Sequence, residues 1–292
     1  MFVPEYTITP KTLKNIAVLE YGKAIIDSTI ILPSWEKQLG TQAKFDFLVS
    51  CAQLTGVPYS EENAKKICTD IDRGTSSQLN NFKNAFDLVF AGFQKAAMTS
   101  TETTEEDLKN IANALTSSPS VLSLINYRIT PLPRKTRPEE ILPEVVELFD
   151  WINSLDAKEN HPVITAAICK ARLEQISPFD EANGVAADLT THLLLQKSNY
   201  SFKKATTITH YFAKGKHEYF KQIGHLVTEN RDYTQWLEYF TEGLSMQVTA
   251  VQEKIKLLAK DTKVAKAAGR TRLTPRQEKI IEYIGDFGVI QN

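Results

Sequence analysis

The stretch ISPFDEANGVAAD, Ile176 to Asp188, decides how this chain is read. It joins two apolar helical patterns, and its residue types allow two readings. In the first, Ser177 is an N-cap, Pro178 takes the first helical position and Asp180 the third, a capping box with its preferred proline. Asp180 or Asn183 could instead cap the helix one turn later. Either way a helix through Leu189, Leu193 and Leu194 starts without a ligand. In the second reading the stretch is an anion loop. A helix start offers free N–H groups and a partial positive charge, and Ala182 and Gly184 are small enough for a phosphate to approach the backbone. Glu181 is placed to hold a Mg²⁺ that bridges phosphates, and Asn183 to donate an amide hydrogen bond.

Helical periodicity dominates outward from this stretch. Residues 12–30 put Leu13, Ile16, Ala17, Leu19 and Ala24 near one stripe, and residues 76–97 repeat the pattern through Leu79, Phe82, Phe86, Val89, Phe90 and Phe93. Thr104 with acids behind it marks a helix start. Prolines stand in the first turns of the segments beginning at Pro138 and Pro162. Further helices are expected over 185–198, 208–227 and 233–261. Only residues 120–140 break the pattern: β-prone from Val121 to Ile129, then proline-rich, they predict a short hairpin followed by an ordered linker. The basic stretch 262–272 predicts a linker before a last helix.

Composition narrows the class. The chain has 292 residues, 42% hydrophobic and 24% charged, enough for one large core or two smaller ones. Twelve Gly and twelve Pro disfavour a turn-rich all-β chain. The net charge of -1 gives no bulk electrostatic case for nucleic acid. Cys51, Cys68 and Cys169 are odd in number and lack a C-x-x-C spacing, so reduced thiols in a cytoplasmic protein are expected. No signal peptide or apolar run long enough for a membrane span is evident. The five histidines, His161, His192, His210, His217 and His225, form no metal-binding spacing, although His210 and His217 could share a helix face.

The stretch from Ser177 to Asp188 resembles the signature of the Fic (Fic/Doc) family, H-P-F-x-[DE]-G-N-G-R-x-x-R. The resemblance extends to ILPSWEKQL near residue 32, HPVITAAICKARLEQISPF before the loop, and THYFAKGKHEYFKQI and YTQWLEYFTEGL after it, covering residues 7 to 261. It implies an all-α Fic-like fold with a short β-hairpin flap. It also implies transfer of AMP from ATP, with Mg²⁺, to a hydroxyl of a target protein. The histidine would serve as base, the acid as metal ligand, and the two arginines would neutralise phosphates. The nucleotide and phosphate positions are then Phe179, Ala182, Asn183 and Gly184, with Glu181 at the metal. Asn126, Tyr127 and Arg128 lie in the flap, which pairs with an extended target segment.

Three departures bear on activity. Ser177 stands at the histidine, and an unperturbed hydroxyl cannot supply the ~10²–10⁴-fold help of a general base. Val185 and Asp188 stand at the arginines, which removes two positive charges and adds one negative. Each charge is worth on the order of a kcal/mol or more at an effective dielectric near 20. The family's inhibitory helix motif, [ST]-x-x-x-E-[GN], is best matched from Cys51, where Thr55 replaces the glutamate and Gly56 is kept.

His192 lies too far along the helix to serve as the base. The segment RLTPRQEKIIEYIGDFGVIQN resembles the start of a winged helix-turn-helix and ends before a recognition helix, so DNA binding is not expected. The expected organisation is an N-terminal helical region (1–100), a Fic core (101–261) and a linker plus helix (262–292). The function read from these features is a Fic-domain protein impaired in AMP transfer and acting as a regulatory or protein-binding module, with a homodimer possible. The alternative is a nucleotide-dependent transferase of altered chemistry.

Overall fold

The computed structural model describes residues 2–69, 77–92, 102–116, 125–228 and 232–267. In chain order these form α1 (Pro10–Ser28), α2 (Pro33–Thr55), α3 (Glu61–Cys68), α4 (Ser77–Asp87, continued by a π turn Leu88–Gly92) and α5 (Glu105–Ala114). They continue with α6 (Pro138–Asn153), α7 (Leu155–Glu159), α8 (Pro162–Ile176), α9 (Asn183–Lys197), α10 (Thr209–Lys214), α11 (Lys216–Thr228) and α12 (Thr234–Ala267). Among the described residues there is no sheet, only an isolated bridge between Glu5 and Asp232. The fold is all-α.

Local chemistry sets many helix starts. Proline occupies the first turn of α1, α2, α6 and α8, where its missing N–H costs nothing. Thr104 and Asp107 close a reciprocal capping box on α5. Packing then orders the helices. In α8 nearly every residue from Val163 to Ile176 is buried, and in α9 every residue from Val185 to Leu195. Helices buried on all faces belong at the centre of a bundle. α8 packs against α6, α9, α11 and α12, while α9 packs against α5 and α4. The Trp236 indole donates to the Ala167 carbonyl at 2.8 Å and pins α12 to α8. α1 lies along α12, and a Cβ on Gly22 would stand 2.6 Å from Val248 Cγ1, so only glycine permits that approach.

Several expectations are corrected. The α1 stripe is rotated: Thr12, Leu19, Gly22 and Ile26 are buried, whereas Leu13 is 62% exposed. Hydrophobic spacing fixed the period but not which face meets α12. The pattern over 208–227 divides at Gly215, which ends α10, so His210 and His217 sit on different helices. α12 continues to Ala267, so residues 262–267 are helix rather than linker, and the expected last helix lies outside the described residues. The hairpin is not seen. Residues 125–129 form no ladder, and residues 117–124 lie outside the described set.

One short connection is unusual. Phe202, Lys203 and Lys204 form a 3₁₀ turn with φ of 46°, 52° and 57°, all left-handed. Each such non-glycine residue costs about 1 kcal/mol or more. Burial of the Phe202 ring, 4% exposed, offsets part of that cost.

Candidate functional site

The stretch from Ile176 to Asp188 folds as a loop between two buried helices. Ser177 does not cap the following helix. It closes the preceding one in a left-handed conformation (φ 46°), with its N–H on the Leu173 carbonyl and its Oγ donating to the Glu174 carbonyl at 2.8 Å. Pro178 and Phe179 are buried, and the chain turns back at Ala182, also left-handed (φ 56°), before α9 begins at Asn183. The capping-box reading fails because α8 runs to Ile176, so residues 177–182 must reverse direction rather than start a helix.

Asn183 holds this reversal together. Its Oδ1 accepts from Phe179 N–H at 2.8 Å and its Nδ2 donates to the Phe179 carbonyl at 2.7 Å. Both ends of the amide are therefore occupied within the loop. Asp180 and Glu181 are exposed at its tip.

The segment 125–130, which carries no regular secondary structure, is bolted to the loop from outside. Arg128 N–H donates to the Pro178 carbonyl at 2.9 Å. Its guanidinium, 2% exposed, donates to the carbonyls of Ser177 (2.7 Å), Ile176 (3.2 Å), Thr130 (2.7 Å) and Thr136. The last carbonyls of α8 thus find the cation that a helix C-terminus favours. Arg128 is turned inward. Tyr127 lies against Phe179, centroids 5.8 Å apart, and donates to Glu105 at 2.8 Å. Asn126 and Ile129 remain exposed, Ile129 at 88%.

Beneath the loop sits a buried ionic cluster that sequence reading did not single out. Lys170, on α8 and 0% exposed, places Nζ 2.5 Å from Glu174 Oε1 and 2.9 Å from Asp188 Oδ1. It also donates to Tyr219 Oη at 2.9 Å and to the Gly184 carbonyl at 3.1 Å. Tyr219 Oη donates to Glu174 Oε1 at 2.9 Å. Burial opposes the charge on Lys170, but Asp188 and Glu174 outweigh it and its pKa rises well above the usual value. Burial also works against Glu174, yet Lys170 holds its carboxyl below the usual range. For Asp188 burial prevails, and its carboxyl is raised despite Lys170. The i,i+4 spacing of Lys170 and Glu174 was a visible signal. That Asp188 would complete the cluster was not, because it depends on how α9 docks.

The remaining positions are structural in geometry. Val185 is buried among apolar residues. The Thr55 hydroxyl donates back to the Cys51 carbonyl at the exposed end of α2, and Gly56 takes the left-handed C-cap (φ 77°). His192 Nε2 accepts from Ile208 N–H at 3.3 Å, and burial pushes its pKa down to about 4. His161 caps α8 through Val163 N–H. The three cysteines are free and buried. Among the described residues no group of three or more His, Cys, Asp and Glu side chains could hold a metal ion. No described helix is long and apolar enough to cross a membrane.

The residues present do not fit a nucleotide triphosphate. Val185 and Asp188, the two positions where the signature has arginines, are both buried and neither supplies a cation to the loop. The nearest cation within the loop's underside, Lys170, is enclosed between two carboxylates. Asp180 and Glu181, both exposed at the tip, are two carboxylates open to water, a weak site for Mg²⁺ by themselves.

An all-α bundle whose two central helices meet at a Pro-Phe-x-Glu-x-Asn-Gly loop defines a class of protein. Residues 102–195 match the model of the Fic/DOC family, and the chain carries a Fic domain over that span. A protein adenylyltransferase, fic-1, from Caenorhabditis briggsae is 30% identical over 63 residues, which is 22% of this chain and 12% of that protein's length. Among solved structures, a Fic family protein from Desulfovibrio desulfuricans superposes with a TM-score of 0.68 at 16% identity, covering 99% of this chain and 87% of the other. A fragment of Fic-1 from C. elegans superposes at 0.65 and 14% identity, covering 82% and 71%. A Fic domain containing signaling protein from Bacteroides thetaiotaomicron superposes at 0.63 and 16% identity, covering 85% and 98%. These structures share the fold.

Proposed function

We propose that this protein is a Fic-domain protein impaired in AMP transfer that acts as a regulatory or protein-binding module in the cytoplasm. The observation that carries the reading is the pairing of Lys170 with Asp188 and Glu174. At the position of a phosphate-binding arginine stands an acid, and the cation near it is already neutralised twice over. Ser177 adds to the impairment, because its hydroxyl is buried and donates to the Glu174 carbonyl, with no base beside it. The loop nonetheless keeps its shape, through the reciprocal Asn183–Phe179 bonds and the Arg128 clamp. The segment 125–130 keeps Asn126 and Ile129 exposed beside the loop, which supports its reading as a surface that accepts an extended peptide of a partner protein by strand addition.

Calorimetric titration with ATP and Mg²⁺, together with incubation with labelled ATP, tests this reading. No heat at millimolar nucleotide and no protein labelling are expected. Labelling that disappears in Glu181→Ala would overturn it and establish a transferase of altered chemistry.

A further inference from the structure

A cavity of about 640 Å³ opens between the start of α2 and the turn Phe202–Lys204, on elements that do not form the signature loop. That size suits a small molecule. Its polar lining is Ser201, Lys203 and Lys204 of the turn, Glu36 and Lys37 of α2, and Asp27 of α1. The two carboxylates are already paired: Asp27 with Lys23 at 2.7 Å and Glu36 with Lys203 at 3.4 Å. Among the described residues no carboxylate pairs with Lys204. It is partly buried, and burial alone lowers its pKa. An ammonium withdrawn from water without a counter-charge is a standing cost that a bound anion removes.

The backbone adds a second observation. The left-handed turn brings two consecutive lysines to one cavity, which regular strand geometry would send to opposite sides. Residues held in sparsely populated backbone regions cluster at sites of binding. Lys204 therefore combines strain, desolvation and an unpaired charge on the wall of a cavity.

We propose that this cavity binds the phosphate group of a small phosphate ester, with Lys203, Lys204 and the Ser201 hydroxyl as its ligands. A phosphate dianion matches two ammonium groups and a hydroxyl donor, and Lys203 can share its charge between Glu36 and the ligand. The remaining volume accommodates the alcohol part of the ester.

Amide chemical shifts of the ¹⁵N-labelled chain, followed during titration with inorganic phosphate and with glucose 6-phosphate at constant ionic strength, test the assignment. Saturable shifts are expected over Ser201–Ala205, with tighter binding of the ester, and none over Phe179–Val185. Lys204→Asn tolerates a left-handed backbone, so the turn should survive while binding weakens at least about tenfold. Lys204→Arg should keep it. Absence of saturable shifts with either probe overturns the site, as does Lys204→Asn binding like the parent. Ester binding no tighter than free phosphate overturns the assignment of an ester.

Discussion

Replacing Lys170 by Met removes the cation bonded to both buried carboxylates and leaves Glu174 and Asp188, 7% and 1% exposed, with Lys135, whose Nζ donates to the Glu174 carbonyl at 2.6 Å, as the remaining nearby positive charge. Each contact to Lys170 Nζ, at 2.5 and 2.9 Å, amounts to about 6 kcal/mol of Coulomb energy at an effective dielectric near 20. Much of that is offset in the parent by the cost of burying the charges. Removing one partner of a buried pair costs about 3–5 kcal/mol. Here two carboxylates, the Tyr219 hydroxyl and the Gly184 carbonyl each lose the Lys170 donor, although Glu174 keeps the Tyr219 hydroxyl, so a loss toward the upper end, about 5 kcal/mol, is expected. That is a large part of the ~5–15 kcal/mol stability of an ordinary domain. For a chain of this size it lowers Tm by about 10 °C.

The loss also depends on pH. In the parent, Glu174 is held below its usual pKa, so its contribution is present above the unfolded value and fades as pH falls through the folded one. In Lys170→Met both carboxyls are raised by burial, so the variant is penalised as pH rises through their folded values. The gap between parent and variant should therefore be small near pH ~4 and widen toward neutrality. Urea denaturation across this range measures it. The triple variant Lys170→Met, Glu174→Gln, Asp188→Asn should recover most of the loss, since no bare charge remains. A loss below about 1 kcal/mol at neutral pH, or a gap that does not narrow in acid, would refute the reasoning.

Four further outcomes are expected. Asp188→Asn and Glu174→Gln should each cost about 2–3 kcal/mol, because each removes one of the two carboxylates that hold the buried Lys170 charged, and denaturation at neutral pH compares them. Arg128→Ala should cost about 3–5 kcal/mol and speed hydrogen exchange around Ile176–Phe179, with Arg128→Lys recovering only part, since a lysine cannot reach four carbonyls in one plane. Asn183→Ala should cost about 1–2 kcal/mol through loss of the two Phe179 bonds, readable as a shift in urea midpoint at constant m-value. Ser177→His should give no labelling from ATP by itself, because Val185 and Asp188 still occupy the cation positions; labelling by this single variant would show that the missing base was the whole defect.

The sequence alone determined the helical class, because period-3.6 hydrophobicity, proline starts and the Thr104 cap are local properties that need no partner. It also determined the family resemblance and the three departures at Ser177, Val185 and Asp188, since these are residue identities. Tertiary structure decided what local patterns could not. The face α1 buries depends on α12, which lies more than two hundred residues away in the chain. Ser177 ends one helix instead of starting the next because α8 and α9 must dock along their lengths, which forces residues 177–182 to reverse. Arg128, read as part of a target-facing flap, turns inward because the last carbonyls of α8 need a donor. Asp188 read as an unfavourable charge at a phosphate site; its partner Lys170 lies on the preceding helix, and only docking of α9 on α8 joins them into a neutralising cluster. Coulomb energy is set by distance in space, and separation along the chain does not report it.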